Sequence, residues 1–387
     1  MPRTPTAAPQ DQIPQSLQSI ELPLTRSERQ ILGLLFRRGA LTQSALADAT
    51  DLTQQSISRI VSRLSDEGLV RPSDRTAPGK RGYPSAVLEL APDYIFSFGI
   101  ALMADAVSMA LVDFTGRVRA ERKQSFNALT RQRVLDWTSD TVKQMSLDVA
   151  GAGKAIAGAG IGLPGSFIGE SVGFNTPHYL EEWAAVDVEQ IFSQKLSMPV
   201  WADNDGNVAA LGESLVGVGR WANSFAYLYL GAGVGGGLVL NGEVWRGRFG
   251  NAGEFAGGLP ANIYPFPNLE LLRQLVAKDG PSFPTVEDLI ENWDDTWPAI
   301  DDWITRVRDS LSIIASNATA ILDLDAIVLG GRMPRSLAER IIPSITLYDQ
   351  RRRSVARPTA KIVPAEAVGN AAAIGAAMLP LRHKFFA

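Results

Sequence analysis

The feature that most constrains the fold of this chain is a change of pattern near residue 94. Before that point, short segments with apolar residues at helical spacing are separated by turns. After it, predicted strands alternate with predicted helices almost to the end of the chain. The chain has 387 residues, enough to bury more than one core. We therefore expect a small N-terminal helical domain joined to a larger α/β body.

Composition excludes several classes of site. The chain has no cysteine, which removes disulfides, thiolate metal sites and cysteine nucleophiles. Its two histidines, His178 and His383, are too few for a histidine-rich metal site. A run of about 18 apolar residues is absent, and so is a basic N-terminal segment followed by an apolar one. We expect a soluble, cytoplasmic protein with neither a membrane span nor a signal peptide.

The pattern also predicts domain boundaries. Residues 1–22 contain four prolines among Gln, Ser and Thr with no apolar period, which indicates a disordered or loosely docked arm. The helical domain is predicted over 23–91 and the body over 92–387. Within the body, two α/β lobes are predicted at about 92–205 and 206–387, with a cleft between them.

Three short helices are predicted in the N-terminal domain. The first runs from Ser27 to Arg38 and ends at Gly39. The second covers 42–50 and is capped by Thr42, and a tight turn follows it. Thr53 caps the third, whose apolar residues recur at helical spacing: Ile57, Ile60, Val61 and Leu64. Two short strands, 69–71 and 86–90, enclose a basic loop, which completes the pattern of a winged helix-turn-helix.

The polar face of the third helix carries the candidate DNA contacts. A major groove admits one α-helix, whose side chains meet base edges. The base-edge candidates are Gln54, Gln55, Ser58 and Arg59. On the basic loop, Lys80 and Arg81 are candidates for the minor groove, where narrow A·T tracts attract arginine. The alternative is a small packed domain or a protein–protein module.

Charge is divided unevenly between the two parts of the chain. The net charge is −4, but residues 1–90 carry 11 Lys and Arg against 9 Asp and Glu, a net of +2. An acidic body with a slightly basic head suits a protein that contacts phosphates through one small domain.

Six stretches of the body, in a fixed order, carry a family resemblance. They are Gly160-Ile-Gly-Leu-Pro-Gly165, Asp203-Asn-Asp-Gly-Asn-Val-Ala-Ala-Leu-Gly-Glu213, Gly231-Ala-Gly-Val-Gly-Gly-Gly237, Ala252-Gly-Glu254, Val328-Leu-Gly-Gly331 and Gly369-Asn-Ala-Ala-Ala-Ile-Gly375. Through them, residues 25–377 resemble the ROK family, which groups repressors and sugar kinases on the actin-like ATPase fold. The resemblance implies a winged helix-turn-helix followed by a two-lobed, sugar-kinase-like body.

The first phosphate loop departs from the family pattern. Kinases of the family carry Asp-x-Gly-Gly-Thr there, with glycines close to the nucleotide phosphates and an aspartate that helps to hold Mg²⁺. Here the segment is Ala101-Leu-Met-Ala-Asp105, and Asp105 would repel a triphosphate. Ala232 stands where these kinases usually have threonine. We expect that ATP-dependent phosphorylation is lost, so that the protein is not an enzyme and binds no ATP.

The resemblance implies a sugar site that is better preserved. Asn204 and Asp205 match the pair that binds a sugar diol, and Asp205 matches the general base of the kinases. Glu254 and Glu270 match two sugar-binding glutamates, and His178 lies where the family often has asparagine. Carboxylates and a carboxamide can bridge the adjacent hydroxyls of a polyol. The alternative is that Asn204 and Asp205 cap and stabilise a helix while the glutamates are surface charges.

A structural zinc is not expected. Many family members hold one with a histidine that follows the Gly-Glu motif and with a cluster of cysteines. Gly257 replaces that histidine here, and the chain has no cysteine.

These observations lead to one hypothesis and two alternatives. The hypothesis is a transcriptional regulator, a repressor, that binds double-stranded operator DNA as a homodimer or homotetramer. A sugar or sugar derivative between Asn204, Asp205 and Glu254 would close the cleft and change the spacing of the DNA-binding heads, as an inducer or a corepressor. The alternatives are an active sugar kinase with an added head and a ligand-free DNA-binding scaffold.

Overall fold

The computed structural model describes residues 22–73, 87–150, 155–168, 173–348 and 358–386. The predicted arm, except for Leu22, and the basic loop with Lys80 and Arg81 lie outside these ranges. The described chain is mixed α/β, with a helical head and a two-lobed body, as the sequence predicted. No helix in the described ranges is both long and apolar enough to cross a bilayer.

The head contains three helices and a three-stranded sheet. Its elements are α1 (Arg26–Arg38), β1 (Leu41–Thr42), α2 (Gln43–Asp48), α3 (Gln54–Asp66), β2 (Val70–Pro72) and β3 (Val87–Leu90). The predicted caps are confirmed: the hydroxyl of Thr42 accepts from the amide of Ala45, and that of Thr53 from the amide of Ser56. The sheet order is β1-β3-β2, and the two-residue β1 was not predicted because it is too short to show alternation.

The first lobe is built on a five-stranded sheet. Its elements are β4 (Phe96–Leu102), β5 (Ala106–Asp113), β6 (Val118–Ser125), α4 (Arg131–Met145), β7 (Ile156–Leu163), β8 (Ser166–Phe167), β9 (Phe174–Asn175), α5 (Val188–Leu196) and β10 (Val200–Asn204). The strand order is β10-β7-β4-β5-β6, with β4, β7 and β10 parallel. The short strands β8 and β9 form a separate hairpin.

The second lobe repeats this plan. Its elements are α6 (Asp205–Val216), β11 (Phe225–Leu230), β12 (Val234–Leu240), β13 (Glu243–Val244), α7 (Leu269–Asp279), α8 (Val286–Glu291), α9 (Ala299–Leu322), β14 (Ala326–Gly331), α10 (Arg335–Ile341), β15 (Lys361–Pro364) and α11 (Ala371–Phe385). The strand order is β13-β12-β11-β14-β15. The edge strands β13 and β15 and helix α10 were not predicted from the sequence, and α11 continues through Pro380 to Phe385.

Helices α6 and α11 cross between the lobes. Helix α6 packs on β12 and α11 packs on β4 and β7, so each helix covers one sheet while touching the other helix. Small residues allow this approach: a Cβ added to Gly375 would lie 1.7 Å from the carbonyl oxygen of Val208. The crossing therefore joins the two lobes through backbone contacts that admit no side chain.

The head packs directly on the body. The ring of Phe36 in α1 lies 4.7 Å from that of Phe386, just after α11. Arg29 donates to the carbonyl of His383 over 2.8 Å, and Arg37 pairs with Glu243 of β13 over 2.8 Å. The buried residues of the head and of the α6–α11 crossing form one continuous hydrophobic cluster. A movement of either lobe therefore reaches the head through direct contacts.

Candidate functional site

A cavity of about 350 Å³ lies in the cleft between the lobes. It forms where the carboxyl ends of the parallel strands β7 and β10 face those of β11 and β14, the usual place for a ligand in such folds. Its polar lining comes from both lobes and includes Ser166, Asn175, Thr176, Tyr179, Asn204, Asp205, Tyr229, Glu254, Arg332 and the backbone of Gly231–Gly235. Three of the predicted ligand residues therefore share one cavity.

Asn204 lines the cavity and is the N-cap of helix α6. Its Oδ1 accepts from the amides of Gly206, at 2.8 Å, and Asn207, at 3.2 Å. Its Nδ2 donates to the carbonyl of Gly165 over 2.8 Å. Asn204 therefore caps α6, as the alternative interpretation of the sequence proposed. Because both lone pairs of Oδ1 accept from backbone amides, only one N–H of its side-chain amide remains for a ligand.

Asp205 is the first residue of α6 and is 7% exposed. Its Oδ1 accepts from the amide of Gly206 over 2.9 Å. Burial, reinforced by the nearby negative charge of Glu254, raises the pKa of the Asp205 carboxyl to about 7. At neutral pH the carboxyl is therefore close to half protonated, and it can either donate to or accept from a ligand hydroxyl.

Glu254 faces the same cavity from the second lobe. Although much of the residue remains accessible to solvent, loss of water around its carboxylate raises the pKa of Glu254. Tyr179 and Tyr229, which the sequence analysis did not select, also line the cavity. Burial raises the pKa of both phenols, so at neutral pH they are neutral donors and acceptors.

Two polar contacts join the lobes beside the cavity. Arg246 of the second lobe donates to Asp203, whose other oxygen, Oδ1, accepts from the Asn204 amide over 2.8 Å. Asn251 accepts from the amide of Phe167 over 2.8 Å and donates to its carbonyl over 3.2 Å. The loop that carries Glu254 is thus tied to the first lobe on the side of the cleft where Asn204 and Asp205 lie.

The altered phosphate loop ends in a buried ion network. Asp105 pairs with Arg332 over 2.6 Å, and Arg332 also pairs with Glu287, which in turn pairs with Lys123. The second carboxylate oxygen of Asp105 accepts from the amide of Glu287 over 2.8 Å. The sequence identified Asp105 as an obstacle to a triphosphate but gave no sign of its partner, which lies 227 positions away.

Two of the predicted ligand residues do not reach the cavity lining. Glu270 is engaged by Arg273 over 2.6 and 2.8 Å and by Gln274, and the pairing with Arg273 lowers the pKa of its carboxyl. His178 is exposed at the start of a short 3-10 helix, and its neighbours Pro177 and Tyr179 line the cavity instead. The Glu270 carboxylate pairs with Arg273, three positions along α7, and so does not contribute to the cavity lining.

The predicted recognition face is open. All four candidates, Gln54, Gln55, Ser58 and Arg59, are exposed on α3, while its apolar face is buried in the head. Lys80 and Arg81 lie outside the described residues. Helix α3 therefore presents a continuous polar surface of the size that a major groove admits.

The residues at the usual zinc position do not fit a metal. Gly257 offers no side-chain ligand atom, and a Cβ added to it would meet nothing within 4 Å. Over the described ranges, no cluster of three or more His, Asp or Glu is placed to hold a metal ion.

Comparison with known proteins identifies both parts of the chain. Residues 97–263 match the ROK family model, and residues 22–81 match a MarR family model. The uncharacterized protein y4fQ of Sinorhizobium fredii is 26% identical over 94% of this chain and 92% of its own length. The xylose repressor of Caldicellulosiruptor bescii is 27% identical over 58% of this chain, which spans little more than half (56%) of the repressor.

A solved structure shows the same arrangement of head and body. The crystal structure of a ROK family transcriptional regulator, a homolog of the E. coli MLC protein, superposes with a TM-score of 0.68 at 20% identity. The match covers 93% of this chain and 95% of that one. The chain therefore contains a ROK family domain preceded by a MarR-type winged helix.

Proposed function

We propose that this protein is a sequence-specific DNA-binding transcriptional regulator, a repressor, whose body senses a sugar or sugar derivative. The observation that carries the proposal is the joining, in one chain, of an exposed recognition helix to a cavity lined by Asn204, Asp205 and Glu254. The similarity to a xylose repressor supports both halves of the proposal. The regulator would bind its operator as a homodimer or homotetramer.

The head supplies the DNA contacts. Side chains of Gln55 and Arg59 can reach base edges in the major groove, and Lys80 and Arg81 of the basic loop are assigned to the minor groove. Arg59 is the residue whose loss should relax sequence discrimination most, because arginine pairs with guanine through two parallel hydrogen bonds.

The cavity supplies polyol recognition. A sugar presents several adjacent hydroxyls, each of which donates and accepts, and the lining offers a half-protonated Asp205, the Glu254 carboxylate and two neutral phenols. Because these groups come from both lobes, a bound sugar would stabilise one relative orientation of the lobes over others.

We further propose that the body does not phosphorylate its ligand. Ala101, a buried residue of β4, stands where the kinases have the metal-directing carboxylate. Asp105 pairs with Arg332 and accepts a hydrogen bond from the backbone of α8. Neither group is free to hold Mg²⁺, which needs oxygen ligands.

The alternative is an active sugar kinase, and one observation favours it. A carboxyl with a pKa of about 7, such as that of Asp205, is suited to act as a general base at neutral pH. Conversion of ATP and sugar to ADP and sugar phosphate by the purified protein, abolished by Asp205→Asn, would establish this alternative.

A thermal-shift screen tests the sensing proposal. The full-length protein is heated with a panel of monosaccharides, disaccharides, inositols and sugar phosphates, alongside Asp205→Ala. A ligand at a hundredfold excess over its dissociation constant should add about 2.7 kcal/mol to the free energy of unfolding. A shift in melting temperature that Asp205→Ala loses supports the sensor. If no ligand of the panel shifts the melting temperature while DNA binding is intact, a ligand-free scaffold is favoured.

A further inference from the structure

One arginine and two buried carboxylates form an ion network beside the cavity. Arg332 is the only basic side chain on the lining that the described residues form, and it is 6% exposed. Its Nη1 pairs with Asp105 and its Nη2 with Glu287, two carboxylates that are themselves 8% and 2% exposed. The guanidinium is thus held by two negative charges at the edge of the cavity that Arg332 lines.

The two carboxylates that pair with Arg332 are themselves held by further hydrogen bonds. Asp105 accepts a second hydrogen bond from the amide of Glu287, and Glu287 accepts one from Lys123. Each carboxylate therefore uses both oxygens inside the protein. An anion that replaced either carboxylate on Arg332 would deprive a buried carboxylate of one of its two partners, which is unfavourable.

The rest of the lining adds negative charge. Glu254 faces the cavity directly, and Asp205 carries a full charge whenever it is deprotonated. When Asp105, Glu287 and Glu254 are set against Arg332 and Lys123, the surroundings are net negative even with Asp205 protonated. At the reduced dielectric of a cleft, a phosphate group close to these carboxylates would be repelled by kcal/mol amounts, because Coulomb energies grow as the dielectric constant falls.

We propose, on the basis of the function proposed above, that Arg332 with its two carboxylates is a selectivity element that restricts the effector to sugars without a phosphate group. The network keeps Arg332 from acting as a phosphate receptor. It leaves hydroxyl recognition by Asp205 and Glu254 intact, since these groups lie outside the network.

Matched ligand pairs test this inference. Binding to the full-length protein is measured by titration calorimetry for glucose and glucose 6-phosphate, for N-acetylglucosamine and its 6-phosphate, and for xylose. The free sugar of any pair that binds should bind at least tenfold more tightly than its phosphate, a difference of about 1.4 kcal/mol.

A double variant should weaken the predicted preference. Asp105→Asn combined with Glu287→Gln keeps the shape of the network and frees the charge of Arg332, although each amide offers one acceptor oxygen where the carboxylate used two. This double variant should bind the phosphorylated member of the pair at least tenfold more tightly than the unaltered protein does. The single variant Asp105→Asn serves the same purpose, with a smaller gain, if the double variant does not fold. Asp302→Asn, which neutralises an exposed carboxylate paired with Arg306, is the matched control and should change neither affinity.

The possible results distinguish failure of the selectivity proposal from failure of the proposed sensor function. Equal or tighter binding of a sugar phosphate by the unaltered protein would overturn the selectivity proposal while the sensor remains. Binding of no sugar in either form would overturn the proposed sensor, and the selectivity proposal with it. An unchanged phosphate affinity in a folded double variant would show that the network does not set the preference.

Discussion

Asp205 is the residue on which the proposed ligand chemistry depends most. It begins α6, its Oδ1 accepts from the next amide, and its side chain is almost fully removed from bulk water. Burial makes the ionised form costly, and Glu254 adds to this cost, so the carboxyl keeps its proton up to a pH of about 7. A ligand hydroxyl that hydrogen-bonds to Asp205 would replace the water lost on folding.

The raised pKa of Asp205 predicts a pH-dependent stability. The folded state holds the proton up to about pH 7, whereas the unfolded chain releases it near 3.8, so this group's contribution to stability falls as pH rises between these values. The isosteric variant Asp205→Asn avoids this loss. Its free energy of unfolding, relative to the unaltered protein, should therefore rise from pH 4 to pH 7 by at most about 4 kcal/mol and level off above.

Urea unfolding at a series of pH values measures this difference. Asp302→Asn removes an exposed carboxylate and is the control, for which a much flatter difference is expected. A pH-independent difference for Asp205→Asn would show that the carboxyl is not desolvated.

The elements that connect cavity and head are helices α6 and α11. Asn204 and Asp205 stand at the start of α6, and the far end of α11 lies against α1 of the head. Between these ends the two helices cross at contacts formed by glycine and alanine. A change in lobe orientation must act on this crossing, because each helix is packed on a different sheet.

The crossing predicts a large effect of one methyl group. Gly375→Ala should destabilise the protein by about 3 kcal/mol or more, although alanine favours helices, because its Cβ would lie 1.7 Å from the Val208 carbonyl oxygen. Gly257→Ala is the matched control, since nothing lies within 4 Å of its added Cβ, and should change stability by less than about 0.5 kcal/mol. Denaturant unfolding compares the two, and near-neutral behaviour of Gly375→Ala would mean that the helices are not in close contact.

Glu243 offers a way to uncouple the head from the body. Its Oε1 pairs with Arg37 of the head and its Oε2 with Arg382 of α11, so one side chain of the second lobe touches both other parts. Exposed pairs contribute little to stability, but a coupling of only about 1 kcal/mol changes an affinity roughly fivefold. We expect Glu243→Gln to bind sugar normally and to lose most of the sugar effect on operator affinity.

Fluorescence anisotropy with labelled operator DNA, with and without saturating sugar, measures this loss. Glu339→Gln, which breaks the exposed pair with Arg335 on α10, is the control and should keep the full effect. If sugar changes the operator affinity of Glu243→Gln as much as that of the unaltered protein, Glu243 does not couple the body to the head.

At the scale of the molecule, the structure combines a head with an exposed recognition helix, a two-lobed body and a cavity between the lobes. The charge asymmetry seen in the sequence fits this division, since the body carries the acidic excess. Head and body share one continuous hydrophobic cluster, so the head is not an independent appendage of the described chain.

Most elements could be predicted from the sequence, because their signals are local. The threonine caps depend on neighbouring residues, and the structure confirms them. The edge strands β13 and β15 were missed, since short edge strands take their pairing from a neighbour distant in the chain. The predicted boundaries between domains and lobes remain predictions.

The site was predicted less completely than the fold. Asn204, Asp205 and Glu254 belong to motifs and meet in one cavity, whereas Tyr179 and Tyr229 carry no motif. The partner of Asp105 could not be foreseen, because Arg332 comes close only through the meeting of two sheets. Glu270 matched a motif, yet Arg273 three positions away engages it, a local pairing that the motif comparison did not weigh.

The most direct test of the proposed function measures DNA binding and sugar sensing in one experiment. DNA from upstream of the protein's own gene is titrated with full-length protein, with and without the sugar that gives the largest thermal shift, for the unaltered chain, Arg59→Ala and Asp205→Ala. We predict sequence-specific binding whose affinity the sugar changes at least fivefold, loss of specificity in Arg59→Ala, and loss of only the sugar effect in Asp205→Ala. Specific binding that no sugar alters, or a sugar effect that survives in Asp205→Ala, would contradict the assignment of the cavity as the sensor.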